Sequence, residues 1–153
     1  MGVVSFWVLF IIMLIVDIVF IFNKKLGVPD FIVVLTLMAL VGIVHSLLVS
    51  QLHLYYYVSK EATHVYFIFY DIVVYPALAI LFIRFLFIKR TVRYMIIYNI
   101  FWICFMTLFE LLVVKPAGII VYTGWRIIPQ SIYFYSLAYP LFAVYYIKLK
   151  KLC

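Results

Sequence analysis

Long unbroken apolar runs alternate with short polar breaks along the chain. Five runs, Val3–Phe22, Phe31–Ser50, Thr63–Phe87, Tyr94–Val114 and Ile128–Ile147, each reach the roughly 20 residues that a helix needs to cross a hydrocarbon core. None alternates lipid-facing and lumen-facing residues, so the pattern predicts helices and not the strands of a barrel. The breaks carry helix-ending chemistry. Asn23-Lys24-Lys25-Leu26-Gly27 closes the first run, and Pro29 can open the second. Lys115-Pro116-Ala117-Gly118 closes the fourth, and Pro129 stands at the start of the fifth. The first run has no preceding basic residue, contains Asp17 and is followed by no small-x-small cleavage site. It therefore reads as a helix of the mature protein and not as a signal peptide. The expected fold is all-α: one integral membrane bundle of five transmembrane helices spanning residues 1–153.

Composition agrees. Of 153 residues, 71% are hydrophobic and 11% charged, and the mean hydropathy is +1.30. Soluble domains run about 45–50% apolar and about 25% charged, and a soluble fold of this length has too little interior for so much apolar surface. This excludes a soluble enzyme, a nucleic-acid-binding domain and a disordered tail. The net charge of +7 is explained by where the cations fall. Lys24, Lys25, Arg84, Lys89, Arg90, Arg93, Lys148, Lys150 and Lys151 lie towards one side, and Lys60, Lys115 and Arg126 towards the other. The basic side is expected to be cytoplasmic, which places the N-terminus outside and the C-terminus inside. No internal repeat is visible, which disfavours a transporter built from inverted repeats within one chain.

Cys104 and Cys153 form no disulfide framework, prenylation box or spaced metal-ligand pattern. No metal or cofactor is expected. The segment Ala117–Arg126 is too short to cross and ends in Tyr122, Trp125 and Arg126. It reads as a loop or half-helix at the headgroups, with a re-entrant cap over a cavity as the sharper reading. Trp7 and the run Tyr55-Tyr56-Tyr57 are expected to be interfacial anchors.

Ionisable side chains inside a span are costly and therefore candidates for function. At about 1.5 Å per residue, Asp17, Arg84 and Asn99 lie roughly 5–8 Å from the inner ends of their spans. A buried Asp17–Arg84 ion pair bridged by Asn99 is expected there, fixing helix packing. His45, Asp71 and Glu110 lie roughly 6–12 Å from the outer side. Facing a common cavity, they could relay protons or hold a cation. The plainer reading pairs Glu110 with Lys115 or Arg126, while Asp71 bonds neighbouring hydroxyls. His64, Ile68, Asp71, Tyr75 and Ala79 recur at helical spacing and are expected to share one face. Pro76 should free the carbonyl of Ile72, and Pro140 that of Ser136. Gly42, Ser46 and Ser50, spaced by four, form a small-residue ridge that lets another helix approach.

Asp71 followed by Tyr75-Pro76-Ala77, with the later Glu110, Lys115, Tyr122 and Trp125, resembles an uncharacterised family of small multi-pass membrane proteins from endospore-forming Gram-positive bacteria. The likeness covers roughly the last two-thirds of the chain. Val114 stands where that family often has a second acidic residue, and Arg126 and Ile127 where aromatic or His residues often follow the Trp. The resemblance implies a multi-pass location in the bacterial cell membrane. It adds weight to Asp71, Tyr75, Pro76, Glu110, Tyr122 and Trp125, and carries no activity.

The candidate polar cavity is thus His45, Asp71, Tyr75, Glu110, Tyr122 and Trp125. The expected protein is a non-enzymatic assembly or accessory subunit. Its expected partners are the lipid bilayer and its own copies or other membrane subunits, with no nucleic acid. The alternative is a small proton- or cation-coupled transporter using the His45, Asp71 and Glu110 cluster. An intramembrane lipid enzyme ranks below both, because Ser46, Ser50 and Cys104 have no identifiable base.

Overall fold

The computed structural model describes residues 2–23, 26–86 and 91–152. Lys24, Lys25, Phe87, Lys89, Arg90 and Cys153 lie outside the described residues. Five helices are long and apolar enough to span a membrane: α1 (Gly2–Phe22), α2 (Val28–Gln51), α3 (Thr63–Phe85), α4 (Val92–Val114) and α5 (Ile127–Leu152). Helix α3 is the hub. Of its most apolar window 61% is buried, against 17–28% for the other four. Helices α1 and α2 pack on α3, and α5 packs on α2 and α4. Ile12 and Ile15 of α1, Leu35 of α2, Leu112 of α4 and Leu137 of α5 are more than half exposed. Outward-facing aliphatic side chains of this kind suit a lipid surround, in which the apolar exterior has no cost.

Local chemistry sets the helix ends. Gly27, Pro29 and Asp30 start α2: the Gly27 N–H donates to Asp30 Oδ2 at 2.7 Å, and Pro29 occupies the first turn. Thr91 caps α4, its hydroxyl accepting from the Tyr94 N–H at 3.3 Å. Two tyrosines of α4 then serve the last carbonyls of α3. Tyr98 donates to Phe82 O, and Tyr94 to Phe85 O at 2.7 Å, which satisfies groups that a helix end leaves without partners. The Phe82 ring lies 5.4 Å from Tyr98, 5.6 Å from Trp102 and 5.0 Å from Tyr139, joining α3, α4 and α5 in the core.

At one end of the bundle, Tyr55–Tyr57 (β1) and Ile120–Tyr122 (β2) pair antiparallel, Tyr55 opposite Tyr122 and Tyr57 opposite Ile120. The segment Ala117–Arg126 is therefore half of a ribbon, and not a half-helix. Tyr57 is 1% exposed and belongs to the core, which corrects its expected place as an interfacial anchor. Its backbone N–H donates to Thr63 Oγ1 at 2.8 Å, pinning the ribbon to the start of α3. The carbonyl of Leu54 accepts from the N–H groups of Thr123, Gly124 and Trp125 at 2.9–3.0 Å. Gly2 meets the far side of the ribbon, where a Cβ would stand 2.6 Å from Gly118 O.

Among the described residues four helices contain π-helical turns, at Ser46–Gln51, Tyr70–Val74, Glu110–Val114 and Ile127–Ser131. The turn in α3 immediately precedes Pro76, where the helix resumes with proline in its first turn. The irregularity expected at Pro76 is thus absorbed as a wide turn. Pro140 sits inside the continuous helix Ile132–Leu152.

Cys104 is exposed on the side of α4, about 15 Å from the Val114 end at helical rise. In membranes carrying the Cys153→Ser background, Cys104 is expected to react with a lipid-soluble maleimide and to resist a membrane-impermeant one. Rapid labelling by the impermeant reagent in intact membranes would refute a lipid-facing α4.

Candidate functional site

A cavity of about 520 Å³ runs between α2, α3 and α5 and ends beneath the ribbon. Its walls are apolar along most of their length, with Val41 and Val44 on one side and Leu137 and Leu141 on the other. The polar groups gather at the ribbon end, on Tyr55, Tyr75, Glu110, Tyr122, Ser131 and Tyr135.

Glu110 is the anchor. It opens the π turn of α4 and is held from α5. Ser131 Oγ donates to Glu110 Oε2 at 2.7 Å, and the Tyr135 hydroxyl donates to Oε1. The Trp125 indole N–H, 2.9 Å from Ser131 Oγ, points into the same chain. Indole nitrogen is a donor only. Ser131 therefore accepts from Trp125 and directs its own proton to the carboxylate. Trp125 is placed in turn by its backbone N–H on the Leu54 carbonyl. Ribbon, α5 and α4 are thus linked in one line from Leu54 to Glu110.

The neighbouring tyrosines close the polar end. The hydroxyls of Tyr57 and Tyr75 lie 3.1 Å apart. The Tyr122 hydroxyl is buried and has no hydrogen-bond partner. Burial raises the Tyr55 and Tyr122 hydroxyls well above the ordinary tyrosine range, and the Glu110 carboxylate adds to the shift. Both remain neutral at physiological pH.

Of the residues expected at a common cavity, Tyr75, Glu110, Tyr122 and Trp125 line this one. His45 and Asp71 do not. His45 is 4% exposed and stacks on Phe67, ring centroids 3.5 Å apart, with both ring nitrogens buried and unpartnered. Asp71 is half-buried on α3, its Oδ1 without a partner. The π turn explains the separation of Asp71 from Tyr75. One extra residue in a turn rotates the C-terminal part of the helix by about 100° relative to its N-terminal part. His64 and Ile68 accordingly lie exposed, while Tyr75 and Ala79 line the cavity. Lys115 and Arg126 are exposed; the partners of Glu110 are hydroxyls and not these cations.

The expected Asp17–Arg84 pair is also not closed. Asp17 Oδ1 and Arg84 Nη2 are each buried without a hydrogen-bond partner. Asn99 donates to Met95 O at 2.8 Å and leaves its own Oδ1 unpaired, so it bridges nothing. Arg84 instead borders a smaller cavity of about 240 Å³ with Asp30, Tyr146 and Lys150. Depth fixes height along the bundle and leaves the direction of a side chain free, so a shared depth does not bring the two charges together.

Asp30 was the acidic residue missed within reach of a span. Its Oδ1 accepts from Tyr146, which clasps α2 to α5. Thr36 Oγ1 and the Tyr145 hydroxyl, 3.3 Å apart, add a second clasp. Both clasps lie in the half of α2 remote from the ribbon. On the ribbon side, Leu40 and Leu137 line the cavity and are 47% and 66% exposed. The cavity therefore opens sideways between α2 and α5. Ser131 was also missed. The Gly-Val-Pro-Asp start of α2 could have signalled Asp30. No spacing rule links Ser131 to Glu110, which is 21 residues away.

Ser131→Ala removes both the acceptor of Trp125 and a donor to Glu110. It is expected to destabilise the purified protein by about 1–3 kcal/mol, read as a lowered thermal midpoint. Tyr135→Phe should act similarly, and the double variant should lose less than the sum, because both hydroxyls serve one carboxylate. Strict additivity would show that the two hydroxyls are energetically independent.

Comparisons with protein-family models, curated proteins and solved structures give no match, so the reading of this site rests on its geometry.

Proposed function

We propose that the chain is a non-enzymatic accessory protein of the bacterial cell membrane that holds an amphiphilic molecule in the groove between α2 and α5. The ribbon end faces outward in this reading, since the described cations Arg93, Lys148, Lys150 and Lys151 gather at the opposite end. The observation that carries the proposal is the cavity itself: about 520 Å³, with largely apolar walls, its one carboxylate and most of its hydroxyls at the ribbon end, and the Thr36–Tyr145 hydroxyl pair at the other. That size and that distribution are those of a small-molecule site, in which a few convergent polar groups fix orientation. Lateral entry suits a ligand dissolved in the bilayer.

A binding role fits the hydroxyl chemistry better than a catalytic one. Ser131 is 2% exposed, and its hydroxyl is held between the Trp125 indole and the Glu110 carboxylate, so a substrate carbon has little access to its oxygen. A proton relay through His45, Asp71 and Glu110 is disfavoured by their separation, because only Glu110 reaches the cavity.

Assembly with another membrane chain is the second reading, favoured by the small-residue ridge. A Cβ at Gly42 would meet nothing within 4 Å, and Ser46 and Ser50 are exposed. The fold makes no use of this ridge itself. Gly42→Leu should leave the monomer folded and reduce any native complex to monomer size on a native gel. An unchanged complex would remove this reading.

Native mass spectrometry of the protein released from a mild detergent tests the first reading. A co-purified amphiphile is expected on the wild-type chain. Ala138→Trp, which fills the cavity wall, should lower its occupancy by about tenfold. Equal occupancy in both proteins would sink the groove as the binding site.

A further inference from the structure

We infer that the occupant of the groove carries a positive charge at its polar end: an amine or quaternary ammonium group on a hydrocarbon body, with no phosphate. This inference rests on the amphiphile reading above and adds the chemistry of the head.

Three observations converge on it. First, Glu110 is the one lining residue with a formal charge among the described residues, and no Lys, Arg or His borders the cavity. An ammonium would find a counter-charge there. A sulfate or phosphate would meet a carboxylate, with no cation to receive it. Second, the carboxylate is not saturated. It offers about four acceptor sites, and Ser131 and Tyr135 take two. The Tyr122 hydroxyl, buried and unpartnered, stands at the same end. Third, the walls around the carboxylate are rings: Tyr55, Tyr75, Tyr122, Trp125, Tyr135 and Tyr139 all line the cavity. Aromatic faces attract cations through the ring quadrupole, and such cages recognise quaternary ammonium groups in particular. Because the Tyr55 and Tyr122 hydroxyls stay neutral, the rings add no competing charge. The aliphatic trough of Leu37, Leu40, Leu137 and Leu141 runs on from the cage and takes the hydrocarbon.

A neutral alcohol could donate one hydrogen bond to Glu110 but would leave its charge uncompensated in a poorly solvated site. A zwitterionic lipid would bring a suitable ammonium together with a phosphate that has no partner. The geometry therefore favours a free cationic amphiphile over a membrane phospholipid.

The test uses the full chain purified in a neutral maltoside detergent, with each probe's uptake by protein-free micelles measured and subtracted. Decyltrimethylammonium and decyl sulfate, each below its micelle concentration, and decanol, below its solubility limit, are compared by equilibrium dialysis. Decyltrimethylammonium is expected to bind about tenfold or more tighter than decanol, with decyl sulfate weakest. Glu110→Gln should weaken the ammonium about tenfold more than decanol, which erases the preference between them. Tyr122→Leu should weaken the ammonium more than decanol, and serves if Glu110→Gln fails to give a monodisperse peak on gel filtration. Equal binding of all three probes, or tightest binding of the sulfate, would overturn the charged head and leave the amphiphile reading standing. Displacement of the ammonium by phosphatidylethanolamine at matched concentration would equally overturn it, since a phosphate would then be tolerated. If none of the probes binds, both the groove reading and this inference fall.

Discussion

Hydrocarbon offers no hydrogen bonds, so every polar group that enters it must find a partner within the chain. Helical backbone bonding meets most of that demand along the spans, while Asp17, His45, Asp71, Arg84 and Asn99 each keep a buried side-chain atom without a hydrogen-bond partner. At the ribbon end, where the chain leaves helical geometry, its donors are assigned. Three successive N–H groups converge on the Leu54 carbonyl, the two strands pair with each other, and Thr63 receives the Tyr57 N–H. The same demand organises the site. Glu110 is tolerable inside the bundle because α5 supplies two hydroxyl donors, and one of those is itself oriented by an indole from the ribbon segment.

The spans were legible because membrane helices are selected by length and hydropathy, and both are written locally. Val3–Phe22 against Gly2–Phe22, and Tyr94–Val114 against Val92–Val114, differ by only one or two residues at one end. The site was legible in part. Tyr75, Glu110, Tyr122 and Trp125 could be picked because a carboxylate in a span is costly and because tyrosine and tryptophan bring both a ring and a donor. The hidden part depends on helix phase. A single π turn at Tyr70–Val74 uncouples Asp71 from Tyr75, and ordinary helical periodicity gives no warning of it. Counting residues from the span ends does not pair Asp17 with Arg84 either: each keeps a buried atom without a hydrogen-bond partner. The ribbon was hidden for another reason. Its strands are three residues long and are joined from distant parts of the chain, Tyr57 with Ile120 and Tyr55 with Tyr122, so no local pattern announces the pairing.

The two ends of the α2–α5 seam differ in kind. Remote from the ribbon, Asp30 with Tyr146 and Thr36 with Tyr145 fasten the helices by side-chain bonds. Nearer the ribbon, the facing residues are Leu40, Val44, Leu137 and Leu141, whose contacts with each other are no stronger than their contacts with lipid tails. The seam is thus bonded by side chains at one end and lined by aliphatic side chains at the other. The aliphatic end is also where the carboxylate stands. An apolar seam with no hydrogen bond across it would give the amphiphile proposed above a path to Glu110. The Asp30–Tyr146 and Thr36–Tyr145 bonds would confine any such opening to the ribbon half of the two helices.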